Sequence, residues 1–422
     1  MSSEWQSTTL GAICNAQGGA IQTGPFGSQL HTSDYKEHGV PVVMPTNIGD
    51  GGISEIGIAR IDDSDVERLS QHKLHLGDIV FSRRGDVTKN ALIQPHEVGW
   101  LCGTGCLKVR LGDKSVADER FISYHLRSPR TKEWLVRHAV GATMPNLNTG
   151  ILASVPIMLP PLHVQLRIGE ILGSLDDCIA ILRETNATLE AMAQAIFKSW
   201  FVDFEPVRAK AEGRQPERMD AATAALFPDS FEDSEQGMVP KRWRVGKVED
   251  LMELAYGKAL KSTDRVDGQV PVYGSGGITG YHNQALVAGP SVVVGRKGTV
   301  GSIYWEDRPF FPIDTVFFVK TDKPLTYCYY LLKTLGLEEM NTDAAVPGLN
   351  RGNAYRLPVV IADEYVFRAF DDLVSGWRSE IFANCKQVQV LTKIRDALLP
   401  KLISGEIRLP EAESIVRSVV NA

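Results

Sequence analysis

Cysteine is scarce in this 422-residue chain: Cys14, Cys102, Cys106, Cys178, Cys328 and Cys385 are scattered singly. In so long a chain that pattern excludes a disulfide-stapled secreted scaffold and points to free thiols in the cytoplasm. No apolar run reaches the roughly 20 residues of a membrane span. Met1–Leu10 has neither the basic start nor the apolar stretch of a signal peptide. Catalytic signatures are absent too. Gly295-Arg-Lys-Gly298 lacks the spacing of a phosphate loop, and Gly274–Gly280 lacks that of a dinucleotide fingerprint, with no helical pattern after it. Cys102 and Cys106 have no second ligand pair at zinc spacing, and His72 and His75 do not form H-E-x-x-H. Neither G-x-S-x-G nor N-P-P-[YF] occurs, nor a helicase set. The chain is therefore expected to have no catalytic residues, no metal site and no cofactor of its own.

What is present is an ordinary globular composition, 43% hydrophobic and 23% charged, with a net charge of −6. That balance argues against a protein that coats nucleic acid by bulk attraction. The charge is unevenly spread. Residues 241–360 hold 15 Lys and Arg against 12 Asp and Glu, whereas residues 161–240 hold 7 against 14. Any nucleic-acid contact should come from local clusters, and the acidic stretch reads as a solvated helix face.

The dominant feature is an internal repeat. At an offset of 202, Met144-Pro-Asn-Leu-Asn148-Thr-Gly150 matches Val346-Pro-Gly-Leu-Asn350-Arg-Gly352, and Val155-Pro-Ile157 matches Leu357-Pro-Val359. At an offset of 213, Asp78–Val87 (DIVFSRRGDV) parallels Ser291–Val300 (SVVVGRKGTV), two apolar strand runs ending in two cations and a glycine. Trp5 and Trp243 open the halves. The changing offset implies one scaffold used twice, with loops of different length.

Each half closes with a long helical pattern. Ile168, Leu175, Leu182, Leu189 and Ile196 recur every seven residues, with Ile171, Cys178, Thr185 and Met192 between them. Phe370, Trp377, Asn384, Leu391 and Leu398 hold the equivalent places in the second half, supported by Leu373, Val374, Ile381, Val388 and Ile394. A helix of ~40 residues is roughly 60 Å long and must cover its seam with something equally long. The other copy, antiparallel, is the expected partner; packing of each helix on its own module is the alternative.

The resulting fold class is α/β (α+β), two tandem modules with pseudo-two-fold symmetry and two long helices in an antiparallel coiled coil. The expected boundaries are module one at 1–160, its helix at 161–202, a polar extended linker at 203–241, module two at 242–361, its helix at 362–404, and a polar tail at 405–422. The linker rests on the charge, Pro and Gly of residues 202–239, although Ala221–Phe227 has the composition of a short helix.

The loops offer polar, glycine-rich, cationic chemistry. Gly24-Pro-Phe-Gly-Ser28-Gln29 presents backbone N–H groups and short polar side chains on a tight turn suited to phosphates. Thr46 and Asn47 follow an apolar run, and an amide edge can pair with adenine as Arg pairs with guanine. Arg83, Arg84 and Lys89 flank a turn, paralleled by Ser275, Arg296 and Lys297 in the second half. Asn148 and Asn350 read as helix caps rather than base readers.

Together these features resemble the specificity subunit of Type I restriction–modification systems. The resemblance runs over essentially the whole chain, on GPFGS (Gly24–Ser28), GDIVFSRRGDV (Gly77–Val87), MPNLN (Met144–Asn148) with the run Val155–Ile168, FVDFEPVRAKAEG (Phe201–Gly213), VYGSGGITG (Val272–Gly280) and LLPKLISGEI (Leu398–Ile407). It implies two target-recognition domains, each reading half of a bipartite, asymmetric site in double-stranded DNA. The helices would set the unread spacer and dock two methyltransferase subunits, with restriction/translocase subunits joining that core. The subunit itself would be non-catalytic: S-adenosylmethionine would belong to the methyltransferase, ATP and Mg to the restriction partner. One departure stands out, since Leu251–Val270 contains no counterpart of GPFGS. The competing readings are a non-catalytic protein-interaction scaffold, with two adaptor domains on a coiled-coil rod, and an unrecognised nuclease.

Overall fold

The computed structural model describes residues 5–141, 143–341 and 348–420. It divides the chain into two units, Met1–Ile181 with Gln387–Ala422, and Leu182–Lys386. Each long helix therefore contributes to both units. Val346 and Pro347, the start of the second copy of the 202-offset motif, lie outside the described residues.

In the first unit, strand Gln6–Thr9 pairs antiparallel with Pro156–Leu159. Thr9 caps helix Leu10–Ala16, its side chain accepting from the Ala12 N–H. A five-stranded sheet follows in the order Gly18–Thr23, Cys106–Gly112, Ile79–Ser82, Asn90–Leu92, Asp50–Gly51. All four residues of Ile79–Ser82 are buried. That explains why this strand reads as a continuous apolar run, whereas the edge strand Gly18–Thr23 alternates in exposure. A second sheet orders Tyr35–Lys36, Ala59–Ile61, Val40–Val43 and Leu101–Cys102, with its last pair parallel.

The second unit repeats the plan. Strand Arg244–Lys247 pairs with Pro358–Ile361. The main sheet runs Glu253–Tyr256, Val316–Lys320, Ser291–Gly295, Ile303–Glu306, the order of the first four strands of its five-stranded counterpart. A smaller sheet places Val270–Gly274 between Gly277–His282 and Phe311–Pro312, again with one parallel pair. The strands of the 213-offset repeat, Ile79–Ser82 and Ser291–Gly295, occupy equivalent interior positions. The mixed, mainly antiparallel sheets with segregated helices are of the α+β kind.

The long helices span Leu162–Phe201 and Glu364–Ser404, 40 and 41 residues. Within the first unit Ile168, Leu172, Leu175, Ile179, Leu391, Leu398 and Leu402 are buried. Within the second, Ala193, Phe197, Phe370, Val374 and Asn384 are buried, and Leu182, Asn186, Leu189, Ile196, Trp377 and Ile381 are half-buried. The seven-residue spine is as expected, but the intermediate rank of the first helix is shifted by one. Leu172, Ile179, Asn186 and Ala193 face inward, while Thr185 and Met192 are exposed. Steps of three and of four both remain near one face of a helix, and with Ile171 and Leu172 adjacent the periodicity alone cannot choose. Leu373 is likewise exposed, its place taken by Val374.

The extended linker expected at 203–241 is a correction. This segment forms helices Glu205–Ala211 and Ala221–Ala225 and a hairpin, Phe231–Ser234 with Gly237–Pro240. Phe204 packs edge-on against Trp243 at 5.8 Å between centroids, and Phe227 against Trp200 at 5.0 Å. Val207, Phe227 and Val239 are buried in the second unit's core. A few widely spaced apolar anchors hold the segment, and its numerous charges hide them from a compositional reading. The polar tail expected at 405–422 is corrected for the same reason: Leu409–Val420 is a helix with Ala412 and Val416 buried, and Glu413 pairs with Arg167.

Candidate nucleic-acid interface

Each unit brings its two repeated motifs together at the end of an interior strand. In the first, Leu147 N–H donates to the Arg83 carbonyl at 2.9 Å; in the second, Leu349 N–H donates to the Arg296 carbonyl at 2.8 Å. The bridges Arg84–Asn146 and Lys297–Gly348 lie beside them. Gly85 and Gly298 follow the cations with φ of 77° and 88°. Side chains rarely adopt that conformation, which accounts for glycine in both Arg-Arg-Gly and Arg-Lys-Gly. Asn148 and Asn350 cap the next helices, accepting from Ile151 N–H at 2.8 Å and Asn353 N–H at 3.2 Å. They are structural caps, as expected.

The proposed contact residues divide into presented and committed groups. Arg84, Lys297, Ser28 and Thr46 are exposed. Arg83 is half-buried, donating from Nε to Asn146 Oδ1 at 3.3 Å. Lys89 is half-buried, and its carbonyl accepts from Ser82 N–H at 3.1 Å, closing the loop. Gln29 also closes its own turn, Oε1 accepting from Phe26 N–H at 3.0 Å. Ser275 ties the glycine-rich turn to the cationic one: its carbonyl accepts from the Ser302 and Tyr304 hydroxyls at 2.5 and 3.2 Å.

Asn47 is a correction. It is 4% exposed, its Oδ1 accepts from Met44 N–H at 3.0 Å, and its Nδ2 donates to the Ser54 carbonyl at 3.2 Å. Its amide edge is spent on holding the loop that carries Thr46.

Gly24 explains the GPFGS turn. A Cβ there would lie 2.0 Å from the Gly103 carbonyl oxygen, so only glycine permits this approach of two loops. The turn leaves the Phe26 ring 59% exposed at its tip. Phe26, Gln29, Thr23, Gln71, His72 and Thr149 share a cleft of about 350 Å³. Lys108, buried beneath, donates to the Gln71 and Lys73 carbonyls at 2.7 and 3.0 Å and holds the loop between them.

Motif reading missed Tyr256 and Arg351. The Arg351 guanidinium lies 4.5 Å and the Arg296 guanidinium 4.9 Å from the Tyr256 ring centroid. The signal for Arg351 was available, since the repeat sets Thr149 opposite Arg351.

Two carboxylates of the first long helix tie it, in each unit, to a shorter helix (Glu119–Arg127 or Leu325–Thr334) and to the second long helix. In the first unit Asp176 accepts from Tyr124 Oη at 2.8 Å, Arg127 Nη2 at 3.1 Å and Arg395 Nη1 at 2.8 Å. In the second, Glu190 accepts from Tyr330 Oη at 3.0 Å, Lys333 Nζ at 2.6 Å and Arg378 Nη1 at 3.0 Å. Burial alone pushes both carboxyls up. Arg127, Arg395 and the Tyr124 hydroxyl outweigh it at Asp176, and Lys333, the Gln194 amide and Arg378 at Glu190, holding both below their ordinary values. Among the described residues no cluster of His, Cys, Asp or Glu suited to a metal occurs, and no helix is long and apolar enough to cross a membrane.

Paired modules that share a scaffold and differ in their loops are the architecture of a bipartite recognition protein. The profile of the Type I restriction modification DNA specificity domain matches residues 2–191 and 240–352, more than half of the chain, which therefore belongs to that family. The chain is 25% identical over 356 residues to the Type I restriction enzyme HindI specificity subunit of Haemophilus influenzae, spanning 68% of this chain and 77% of the relative. It is 25% identical over 325 residues to the MjaIX specificity subunit of Methanocaldococcus jannaschii, spanning 69% of each. Its fold is similar to that of the Type-I restriction-modification S subunit from M. genitalium, with a TM-score of 0.56 at 19% identity, covering 94% of this chain and 96% of that one. The resemblance read from the sequence motifs is borne out: this is a DNA sequence-specificity subunit, and the adaptor-scaffold reading is not favoured.

Proposed function

We propose that each module reads one half of a bipartite, asymmetric duplex site. The long helices set the unread spacer and dock two methyltransferase subunits, and restriction/translocase subunits join that assembly. The chain contributes recognition, not catalysis. S-adenosylmethionine binds the methyltransferase, and ATP and Mg the restriction partner. The complex works in the cytoplasm, where its DNA is.

One observation carries this reading: on equivalent strands and turns the two modules present different side chains. Strand Gly18–Thr23 ends in Thr23 where Glu253–Tyr256 ends in Tyr256, and Thr149 stands where the other module has Arg351. A shared scaffold with divergent loops suits two unlike half-sites, because backbone contacts position a duplex while side chains at base edges discriminate. Mapping methylated bases in host DNA with and without the gene tests the proposal. Loss of methylation at a two-part asymmetric motif is expected; an unchanged methylation map would refute it.

A further inference from the structure

Tyr256, Arg296, Lys297, Asn350, Arg351 and Tyr355 line a cleft of about 410 Å³ in the second unit. We propose that this cleft seats a backbone phosphodiester of the DNA flanking the second half-site. This rests on the reading of the chain as a DNA-specificity subunit, and it assigns a role to one cleft in one module.

The electrostatics point to an anion. Among the described residues, three cations and no carboxylate line the cleft, and none of the three has an ion-pair partner. Both guanidiniums lie within 5 Å of the Tyr256 ring centroid, and Arg351 lies 5.6 Å from the Tyr355 ring. Arg296 spends one N–H on the Asp314 carbonyl at 3.0 Å, and Arg351 one on the Leu254 carbonyl at 3.5 Å. Rings and carbonyls thus hold the two forks in place while leaving other donors for a ligand. Such planar, preset donors match phosphate oxygens. Like charges lining one cleft repel, and a bound anion offsets that repulsion.

The equivalent place in the first module is built otherwise. Thr23, Thr149 and Ala153 stand where the second module has Tyr256, Arg351 and Tyr355. The cleft containing Thr23 and Thr149 is lined by Gln22, Gln29 and Gln71, with no arginine or lysine. Arg83 and Arg84 hold the places of Arg296 and Lys297 in the first module but do not line this cleft, so the tyrosine-backed arginine pair argued here belongs to the second module alone.

The test uses the full chain in complex with its methyltransferase partner. Duplex binding is followed by fluorescence anisotropy between 50 and 200 mM salt. Each phosphate contact adds about 0.9 to the slope of log affinity against log salt. Arg351→Ala and Lys297→Ala are each expected to lower that slope by about 0.9 and to weaken all duplexes by the same factor. Arg351→Lys should keep the slope. Lys297 is exposed, so its replacement tests the cleft without disturbing packing. Unchanged slopes in both alanine variants would overturn the proposal, as would a loss confined to one base pair, which marks a base reader. The slope can be measured on any duplex. A wild-type complex that binds without sequence preference would sink the specificity reading, while the slope change still decides the phosphate contact.

Discussion

Asn384 donates its side-chain amide to the Asn186 side-chain oxygen across 2.9 Å, joining the two long helices within the second unit. Asn384 is 4% exposed and sits in a seam position otherwise taken by Phe, Trp or Leu. With Arg378 meeting Glu190 nearby, partners rise along one helix as they fall along the other, which defines an antiparallel pair. A buried amide pair satisfies itself in one register only, so it specifies alignment at some cost in stability. Replacing Asn384 by leucine should therefore cost about 1–3 kcal/mol by leaving the Asn186 side-chain oxygen without this donor. The double variant Asn186→Leu/Asn384→Leu should recover most of that loss. Denaturant midpoints for the single and double variants check this, and simple additivity of the two losses would contradict it.

Acid should loosen the first unit through Asp176. Its folded pKa lies below the ordinary aspartate value because Arg127, Arg395 and Tyr124 outweigh the effect of burial. A depressed carboxyl contributes stability that is complete above the unfolded pKa of about 3.9 and disappears as pH falls through the lower folded value. Asp176→Asn should remove this acid limb. At neutral pH it should cost about 1.5–3 kcal/mol, since the charge-assisted hydrogen bonds from Tyr124, Arg127 and Arg395 lose their charged acceptor. Urea denaturation from pH 3 to 7 reads both effects; parallel curves for variant and wild type would exclude the mechanism.

Much of this arrangement is legible in sequence, for physical reasons. The interior strands Ile79–Ser82 and Ser291–Gly295 are buried on both faces, so they stand out as apolar runs, and the left-handed turns after them demand Gly85 and Gly298. The seven-residue spine is equally clear because every member is buried or half-buried. Intermediate seam residues were ambiguous where two apolar residues adjoin. The 203–241 segment was misread because Phe204, Val207 and Phe227 lie too far apart to make a period. At the interface, Arg84 and Lys297 could be found as cations before a glycine. Asn47 could not be sorted, because whether an amide reads a base or ties a loop depends on tertiary partners. Tyr256 reveals itself only when the fold places Arg296 and Arg351 beside it.

The contrast between Asn47 and Thr46 yields a prediction. Asn47→Ala deletes two buried hydrogen bonds to backbone and should cost about 1–3 kcal/mol. Thr46→Ala, at an exposed position, should change stability by less than about 0.5 kcal/mol. If the Thr46 loop meets DNA, its variant loses binding without losing stability. Thermal melts alongside duplex titrations separate the two, and equal destabilisation by both would contradict the assignment of Asn47 as the loop's anchor.

Recognition and assembly should be separable by mutation. Leu182 and Leu189 are half-buried on the spine within the second unit, flanking Asn186 by four and three residues. Glutamate at both places carboxylates in an apolar seam, where desolvation is unfavourable without a cation. The acid already present, Glu190, is satisfied by Lys333, Arg378, Tyr329, Tyr330 and Gln194. Leu182→Glu/Leu189→Glu should therefore part the helices and reduce the methyltransferase recovered with the chain on gel filtration. By contrast, alanine at Arg83, Arg84, Arg296 and Lys297 removes cations from turns remote in sequence from that seam. It should leave the stoichiometry intact while weakening duplex binding at least tenfold, through lost phosphate contacts. An adaptor scaffold would give the opposite result for the cationic variant, with function unchanged. Loss of partner binding in the cationic variant would equally show that recognition and assembly share one surface.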